Sequence, residues 1–208
     1  MGKLIDISPL ISPDIAVWPG DRSFSHEYLC RIADGANLDL SSIHTTVHVG
    51  AHADAPSHYD HPSEGIHERS LSYYYGLTQL MIVSVPRGER IYPKDLPEDI
   101  LAPRLLLCTG SFPNPNNFNT DFNSLSPALV DYAADRGVIL IGIDTPSIDP
   151  FHSKKLESHK RVLHHDLAIL EGIVCKDVPS GMYRLMAFPL KIQGADASPV
   201  RAVLEELY

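Results

Sequence analysis

The stretch "LSPALVDYAADRGVILIGID", residues 125–144, decides the fold class. Ser126 can cap a helix, Pro127 fits its first turn, and Gly137 can close its end. The run that follows, "GVILIGID", is apolar at odd and even positions alike, which is typical of a strand covered on both faces. A helix directly before a buried strand indicates an α/β domain.

Predicted strands outnumber predicted helices in the rest of the chain, so we expect a mixed sheet rather than a regular doubly wound fold. Two further helices are predicted, one within "SHKRVLHHDLAIL" (158–170) and one in "SPVRAVLEEL" (198–207), which again begins with Ser-Pro. Short apolar, partly β-branched runs predict strands at 4–11, 26–32, 77–85, 104–110 and 183–192. We expect residues 1–208 to form one domain.

Charge and cysteine content limit the functional classes. The net charge of −9 argues against nucleic acid as the main partner, because an acidic surface repels phosphates. The three cysteines, Cys30, Cys108 and Cys175, are odd in number and far apart, so we expect small buried side chains rather than a disulfide framework. The sequence also has no long apolar run and no leader. Together with the cysteine content, this absence predicts a cytoplasmic protein without a membrane span.

A cluster of metal-capable residues lies in "HVGAHADAPSH", residues 48–58. The neighbouring β-branched residues, a glycine and a proline favour a strand that runs into a loop. His48, His52, Asp54 and His58 all occupy even positions, and side chains two apart share one face of a strand, so they can converge. Imidazole and carboxylate suit Zn²⁺, Mn²⁺ or Fe²⁺, and the lack of a nearby cysteine favours a catalytic site over a structural zinc site.

A second cluster, in "ESHKRVLHHDLAILEG" (157–172), is a candidate source of further ligands. Glu171 stands out because it interrupts an apolar run, where a carboxylate is unfavourable unless it is paired or bound to a metal. The residues alone do not choose among the other members, which are Glu157, His159, His164, His165 and Asp166. We interpret His44, His61 and His67 as ordinary histidines.

The sequence resembles the cyclase-like metal-dependent hydrolases, and among them the kynurenine formamidases. "HVGAHADAPSH" is similar to the family signature H-x-G-T-H-x-D-x-P-x-H, with Ala51 where the family has threonine. Further similarity lies in "DISPLISPDIAVWPGD", in residues 125–150, in "ILEGIV" and in "FPLKIQGADASPVRAVL", so that it covers nearly the whole chain. Ala51 is not a ligand position, and we expect only a supporting hydrogen bond to be missing or replaced.

The resemblance implies a two-zinc site, with manganese as the alternative metal. By this resemblance His48, His52 and Asp54 bind the first ion, and Asp54 bridges to a second ion that His159 and Glu171 also bind. His58 is then the general acid and base, and Trp18 contacts the substrate. The stretch "TGSFPNPNNFNTDF" (109–122) is less aromatic than is usual for the family, which leaves its share in the substrate pocket open.

The implied reaction is hydrolysis of N-formyl-L-kynurenine to L-kynurenine and formate in tryptophan degradation, by a swivelling β/β/α-type domain that forms a homodimer or a larger assembly. Two alternatives remain open at this stage. One is a related hydrolase of another aryl or cyclic amide, like an isatin hydrolase. The other is a metal-binding module without catalysis, against which the presence of His58 beyond the ligand set argues.

Overall fold

A mixed nine-stranded sheet forms the centre of the computed structural model, which describes residues 2–207. The strand order is β1-β13-β11-β5-β7-β9-β10-β4-β12, while β2-β3 and β6-β8 form separate pairs. The elements are β1 (Leu4–Asp6), β2 (Ser25–Cys30), β3 (Leu40–His44), β4 (His52–Asp54), β5 (Tyr75–Ile82), β6 (Arg90–Ile91), β7 (Arg104–Cys108), β8 (Ser124–Leu125), α1 (Pro127–Ala134), β9 (Leu140–Ile143), α2 (Glu157–His164), β10 (Ala168–Glu171), β11 (Gly181–Met186), β12 (Ala197–Pro199) and β13 (Val203–Glu206).

The predicted α/β class with a mixed sheet is confirmed. Strands β5, β7, β9 and β10 run parallel, and the remaining neighbours in the large sheet are antiparallel. Helix α1 begins and ends as predicted: Ser126 Oγ accepts a hydrogen bond from the backbone N–H of Leu129 at 3.1 Å, and Gly137 follows the helix at φ +78°. No helix within residues 2–207 combines the length and the apolar character that a membrane crossing needs.

The two faces of the central strands belong to two different apolar clusters. Leu105 and Leu107 of β7 pack in one cluster with residues of α1 and α2. Leu106, between them, faces the other cluster, which also contains Leu185 of β11 and Leu204 of β13. Because successive side chains of a strand point to opposite faces, a fully apolar run is stable only when both faces are covered. The sheet therefore provides a rigid base on which the ends of β7, β9 and β10 are held.

The predicted C-terminal helix at 198–207 is wrong. The segment forms β12 and β13, and β13 lies between β1 and β11, with antiparallel partners on both sides. Its apolar residues, Val200, Val203, Leu204 and Leu207, have helical spacing, but so short a run also fits a buried strand. Backbone pairing with two neighbouring strands decides between the two readings.

The prediction of unpaired cysteines is also wrong for two of the three. Cys108, at the end of β7, forms a disulfide with Cys175, in the segment after β10. Both are buried, as predicted, whereas Cys30 is free and only partly buried. The sequence does not predict this pair, because the two cysteines are 67 positions apart and meet only in the folded chain. The predicted cytoplasmic location loses the support of the cysteines and stays a prediction.

Candidate metal centre

The two predicted clusters of metal-capable residues meet where β4 lies beside β10. These strands are antiparallel, and their register places His52 directly opposite Glu171. His52 Nε2 lies 3.2 Å from Glu171 Oε2, and both side chains are buried. Since β10 ends at Glu171, the site lies at the carboxyl ends of the parallel strands, where α/β sheets commonly bind ligands.

Asp54 stands at the centre of this group. His48 Nδ1 lies 3.1 Å from one of its carboxylate oxygens, and His159 Nε2, from α2, lies 3.7 Å from the other. His52 Nε2 is 3.6 Å from the first oxygen. The structure thus brings together all five side chains that the family resemblance implies as metal ligands, which are His48, His52, Asp54, His159 and Glu171.

The surroundings of Asp54 fit a bound cation. Its side chain is fully buried, and neither oxygen has a hydrogen-bond partner among residues 2–207. Burial opposes its ionisation, but the neighbouring His159 and His48 outweigh burial and hold the pKa of Asp54 well below its ordinary value. A buried carboxylate that is ionised and lacks hydrogen bonds is strongly unfavourable unless positive charge compensates it. Histidine and carboxylate donors without cysteine are the set that catalytic zinc sites use.

Two of the histidines are oriented by hydrogen-bond acceptors at Nδ1. His52 Nδ1 lies 2.9 Å from the carbonyl oxygen of Gly50, and His159 Nδ1 lies 2.8 Å from a carboxylate oxygen of Asp149. Asp149 is itself buried and lies 3.1 Å from the guanidinium of Arg90. An acceptor at Nδ1 fixes the imidazole so that its unprotonated Nε2 faces the centre. Sequence reasoning did not find Asp149 or Arg90.

His58 lies at the edge of the centre, in a short 3-10 turn. Its side chain is 33% exposed, whereas those of His52 and His159 are 2% exposed. The metal-capable atoms form two compact groups: His48, Asp54 and His58 in one, and His52, Asp54 and Glu171 in the other. The geometry is therefore compatible with metal binding by His58 as well as with the predicted proton transfer, and the two roles need separate measurements.

A cavity of about 790 Å³ opens beside the centre and is lined by Trp18, His48, His58 and Glu171. The Trp18 ring packs against Phe151 at 4.9 Å and against Phe118 at 5.5 Å between ring centroids. Phe118 and Phe112 also line the cavity, and both come from the stretch 109–122 whose contribution was left open. That stretch therefore supplies aromatic surface to the cavity.

Three members of the second cluster, His164, His165 and Asp166, lie away from the centre. Asp166 accepts hydrogen bonds from Arg69 and Tyr73, each at 2.7 Å, and His165 Nε2 lies 2.8 Å from a carboxylate oxygen of Asp131. His164, the last residue of α2, is exposed. These contacts hold α2 and nearby loops and do not reach Asp54. Of the histidines interpreted as ordinary, His44 is exposed in β3, and neither it nor His61 or His67 belongs to the groups around Asp54.

Ala51, where the chain departs from the family signature, is buried in the apolar cluster that also contains Ile7 and Leu170. Its carbonyl oxygen accepts a hydrogen bond from the backbone of Val200 at 2.9 Å, which joins the signature segment to β12. The methyl group thus has an apolar environment in which no side-chain donor is needed.

We expect replacement of Gly172 with alanine to weaken metal binding. Gly172 has φ +67°, and an added Cβ would lie 2.3 Å from the carbonyl oxygen of Gly50, which orients His52. The clash and the left-handed backbone are expected to destabilise the fold by about 2–4 kcal/mol. The displaced carbonyl is expected to lower zinc affinity roughly 10- to 100-fold in a chelator competition.

Gly137 offers the matched control for this substitution. It has φ +78°, but an added Cβ meets nothing within 4 Å, so Gly137→Ala introduces the backbone strain without the clash. It should lower the melting temperature slightly and leave zinc affinity unchanged. Equal loss of zinc affinity in both variants would contradict the role of the Gly50 carbonyl.

The metal-free centre is expected to lose stability as the pH rises. Burial disfavours charge on His48 and His159, yet Asp54 and Asp196 raise the pKa of His48 to about 9, and Asp149 and Asp54 raise that of His159 to about 10. These pKa values exceed the value of about 6.5 that histidine has in the unfolded chain, so protonation of the two histidines stabilises the folded protein. This stabilisation is complete below pH 6.5 and disappears as the pH passes through 9 to 10. Metal ions compete with these protons, so stabilisation by bound metal should grow over the same range.

Calorimetry of zinc-loaded and metal-stripped protein tests this expectation. The difference between their melting temperatures should widen from about pH 6.5 to about pH 9. A difference that stays constant or narrows would show that protons and metal do not share these side chains.

Comparison with known proteins shows the family of this chain. Residues 5–150 match the family model described as "Putative cyclase". The kynurenine formamidase of Maricaulis maris (strain MCS10) is 41% identical over 210 aligned positions, which cover 100% of both chains. This confirms the predicted resemblance.

Solved structures share the fold. A protein described as a potential metal-dependent hydrolase with cyclase activity superposes with a TM-score of 0.87 at 25% identity, over 100% of both chains. Isatin hydrolase A from Labrenzia aggregata superposes with a TM-score of 0.78 at 19% identity, over 97% of this chain and 93% of that one. The matched model and the full-length relative show that this chain belongs to the cyclase family and is a homologue of kynurenine formamidase.

Proposed function

We propose that this protein is an arylformamidase, a hydrolase that converts N-formyl-L-kynurenine into L-kynurenine and formate. The observation that carries the proposal is the buried Asp54, shared by two groups of metal-capable atoms at the wall of an aromatic cavity. The full-length relationship to a kynurenine formamidase supports the choice of substrate.

Two zinc ions per chain are the proposed cofactors, with manganese as the alternative. His48, His52 and Asp54 would hold the first ion, and Asp54, His159 and Glu171 the second. When bound, such ions supply Lewis acidity, which polarises an amide carbonyl and makes water more acidic. The carboxylates of Asp54 and Glu171 would stabilise two nearby cations, and Asp149 and the Gly50 carbonyl would keep two of the imidazoles oriented towards them.

His58 is the proposed general acid and base. The amide bond breaks only if the attacking water loses a proton and the departing aryl nitrogen gains one. A histidine at the cavity wall with one third of its side chain exposed can serve both transfers, because an imidazole can both accept and donate a proton. The more deeply buried His52 and His159 face Asp54 and Glu171 and are placed to bind metal.

The aromatic wall is the proposed site for the substrate ring. Trp18, Phe112 and Phe118 present apolar surface to a cavity whose volume suits a small aromatic molecule. Ring stacking on this wall would hold the formyl group next to Asp54 and His58. We also propose that residues 1–208 act as one domain within a homodimer. The proposed location of the protein is the cytoplasm.

Turnover of a substrate panel tests the proposal. Purified, zinc-loaded protein should convert N-formyl-L-kynurenine with a rise in kynurenine absorbance, and should act on isatin far more slowly. Preference for isatin would favour the alternative of a cyclic-amide hydrolase, which the fold likeness to isatin hydrolases at 15–19% identity supports. Bound metal without turnover of either compound would favour a binding module and contradict the proposal.

A further inference from the structure

We propose that Asp196 is a positioning residue of the active site, which orients the proton-transfer residue His58 and the metal-binding residue His48 through a single carboxylate oxygen. Asp196 Oδ2 lies 3.2 Å from His58 Nδ1 and 3.0 Å from His48 Nε2. The rings of these two histidines are 4.3 Å apart between centroids, with the carboxylate oxygen in reach of both. The inference deepens the proposed function and rests on it for the roles of the two histidines.

The backbone of Asp196 is fixed to the strand that carries Asp54. The backbone N–H of Ala55 donates to the carbonyl of Asp196 at 2.8 Å, and the next residue, Ala197, pairs with Asp54 in the ladder between β12 and β4. On its other side, Ala195 accepts a hydrogen bond from Ile66 at 2.9 Å. The backbone of Asp196 therefore keeps a fixed position relative to Asp54, and the contacts with His48 and His58 hold the carboxylate although the side chain is 48% exposed.

An oxygen that accepts from two imidazoles selects one tautomer of each. His58 must carry its proton on Nδ1 and His48 on Nε2, because an ionised carboxylate accepts hydrogen bonds and cannot donate them. When a metal ion displaces the other ring proton, His48 would present an unprotonated Nδ1 on the side of Asp54, whose nearer oxygen lies 3.1 Å from this nitrogen. His58 retains an unprotonated Nε2, which is the atom that can take a proton from water.

The exposure of the Asp196 side chain distinguishes orientation of the two histidines from a contribution to folding stability. A half-exposed carboxylate at the protein surface contributes little to folding stability. Loss of its orienting contacts, in contrast, commonly lowers activity or metal affinity 10- to 100-fold. Asp196→Asn is therefore expected to preserve the melting temperature and KM, and to lower kcat roughly 10- to 100-fold at saturating zinc.

A double-mutant cycle with His58 identifies the residue through which Asp196 acts. In protein that already carries His58→Ala, the substitution Asp196→Asn should change kcat by less than about threefold at saturating zinc, because the group that it orients is absent. The exposed Asp14→Asn is the control for the lost charge and should match the parent protein. Equal loss of kcat in both backgrounds would overturn the inference for His58.

Nuclear magnetic resonance of zinc-loaded protein with ¹⁵N-labelled histidine gives a readout that does not depend on turnover. At about pH 8, His58 should be in its Nδ1–H tautomer in the parent, and in a mixture of tautomers in Asp196→Ala. An Nε2–H tautomer of His58 in the parent would overturn the inference whatever the activity. The expected tautomer in a protein that does not hydrolyse N-formyl-L-kynurenine would instead leave the positioning intact and refute the proposed function.

Discussion

Replacement of Asp54 with alanine is expected to remove both metal ions and nearly all activity. Asp54 is the one side chain common to both groups of metal-capable atoms within residues 2–207, and its oxygens face His48, His52 and His159. Without it, each group loses its shared carboxylate, and the metal-dependent part of the rate disappears. We expect bound zinc to fall from about two ions per chain to well below one, and turnover to fall roughly 10³-fold or more.

Elemental analysis and single-substrate kinetics measure these two effects. Asp54→Asn, which keeps the shape of the side chain, guards against a folding defect in the alanine variant. Asp60→Asn is the matched control, because Asp60 is an exposed carboxylate six positions away. An Asp54 variant that folds and retains two ions with full turnover would refute the account of the centre.

Replacement of His58 with alanine is expected to lower kcat by about 10²- to 10⁴-fold while both metal ions stay bound. The reason is that, in the proposed assignment, His58 transfers protons at the cavity wall, whereas the five other side chains would bind the metal. The change should appear in kcat more than in KM, because the aromatic wall is unaltered.

The metal content of the variant distinguishes proton transfer by His58 from metal binding by His58. His58 belongs to a compact group with His48 and Asp54, so a ligand role would cause the variant to lose zinc. His44→Ala, an exposed histidine in β3, is the control and should retain both zinc and turnover. Loss of zinc in His58→Ala would show that His58 is a ligand and that another group moves the proton.

The local sequence predicts the elements whose signals are short-range. Ser126 and Gly137 mark the ends of α1 as the pattern indicates, and the apolar strand before Asp144 is buried on both faces. The C-terminal segment shows the limit of such signals. Its helical spacing at Val200, Val203 and Leu204 was overridden by strand partners that lie far away in the sequence. Composition likewise could not predict that Cys108 and Cys175 meet.

The residues of the centre were predictable from the sequence, but the turns and the strand register that bring them together were not. The sequence around the first cluster predicts a strand that runs into a loop, but the strand β4 is only three residues long and carries just two of the metal-capable side chains, His52 and Asp54. His48 reaches the same place through a turn at Gly50, which has φ +63°, and His58 through a 3-10 turn. The signature and the downstream cluster thus converge because turns and cross-strand register place them together.

The supporting residues were invisible to sequence reasoning. Asp149 and Asp196 carry no motif of their own, and their contacts with His159, His48 and His58 exist only in the folded chain. Arg90 contacts Asp149 in the fold, whereas in the sequence it directly follows another charged residue, Glu89. A single acidic residue among turn-forming or apolar neighbours has no specific chemical meaning, so only the fold assigns a role to these residues.

Titration of metal-stripped protein with zinc, while hydrolysis of N-formyl-L-kynurenine is followed by absorbance, tests the central claim most directly. We predict no turnover without metal and a rise that reaches its plateau at about two zinc ions per chain, as expected of a two-metal centre. Full turnover by protein that contains no detectable metal, or none by protein that has bound two ions, would contradict the claim that this centre hydrolyses the formyl amide.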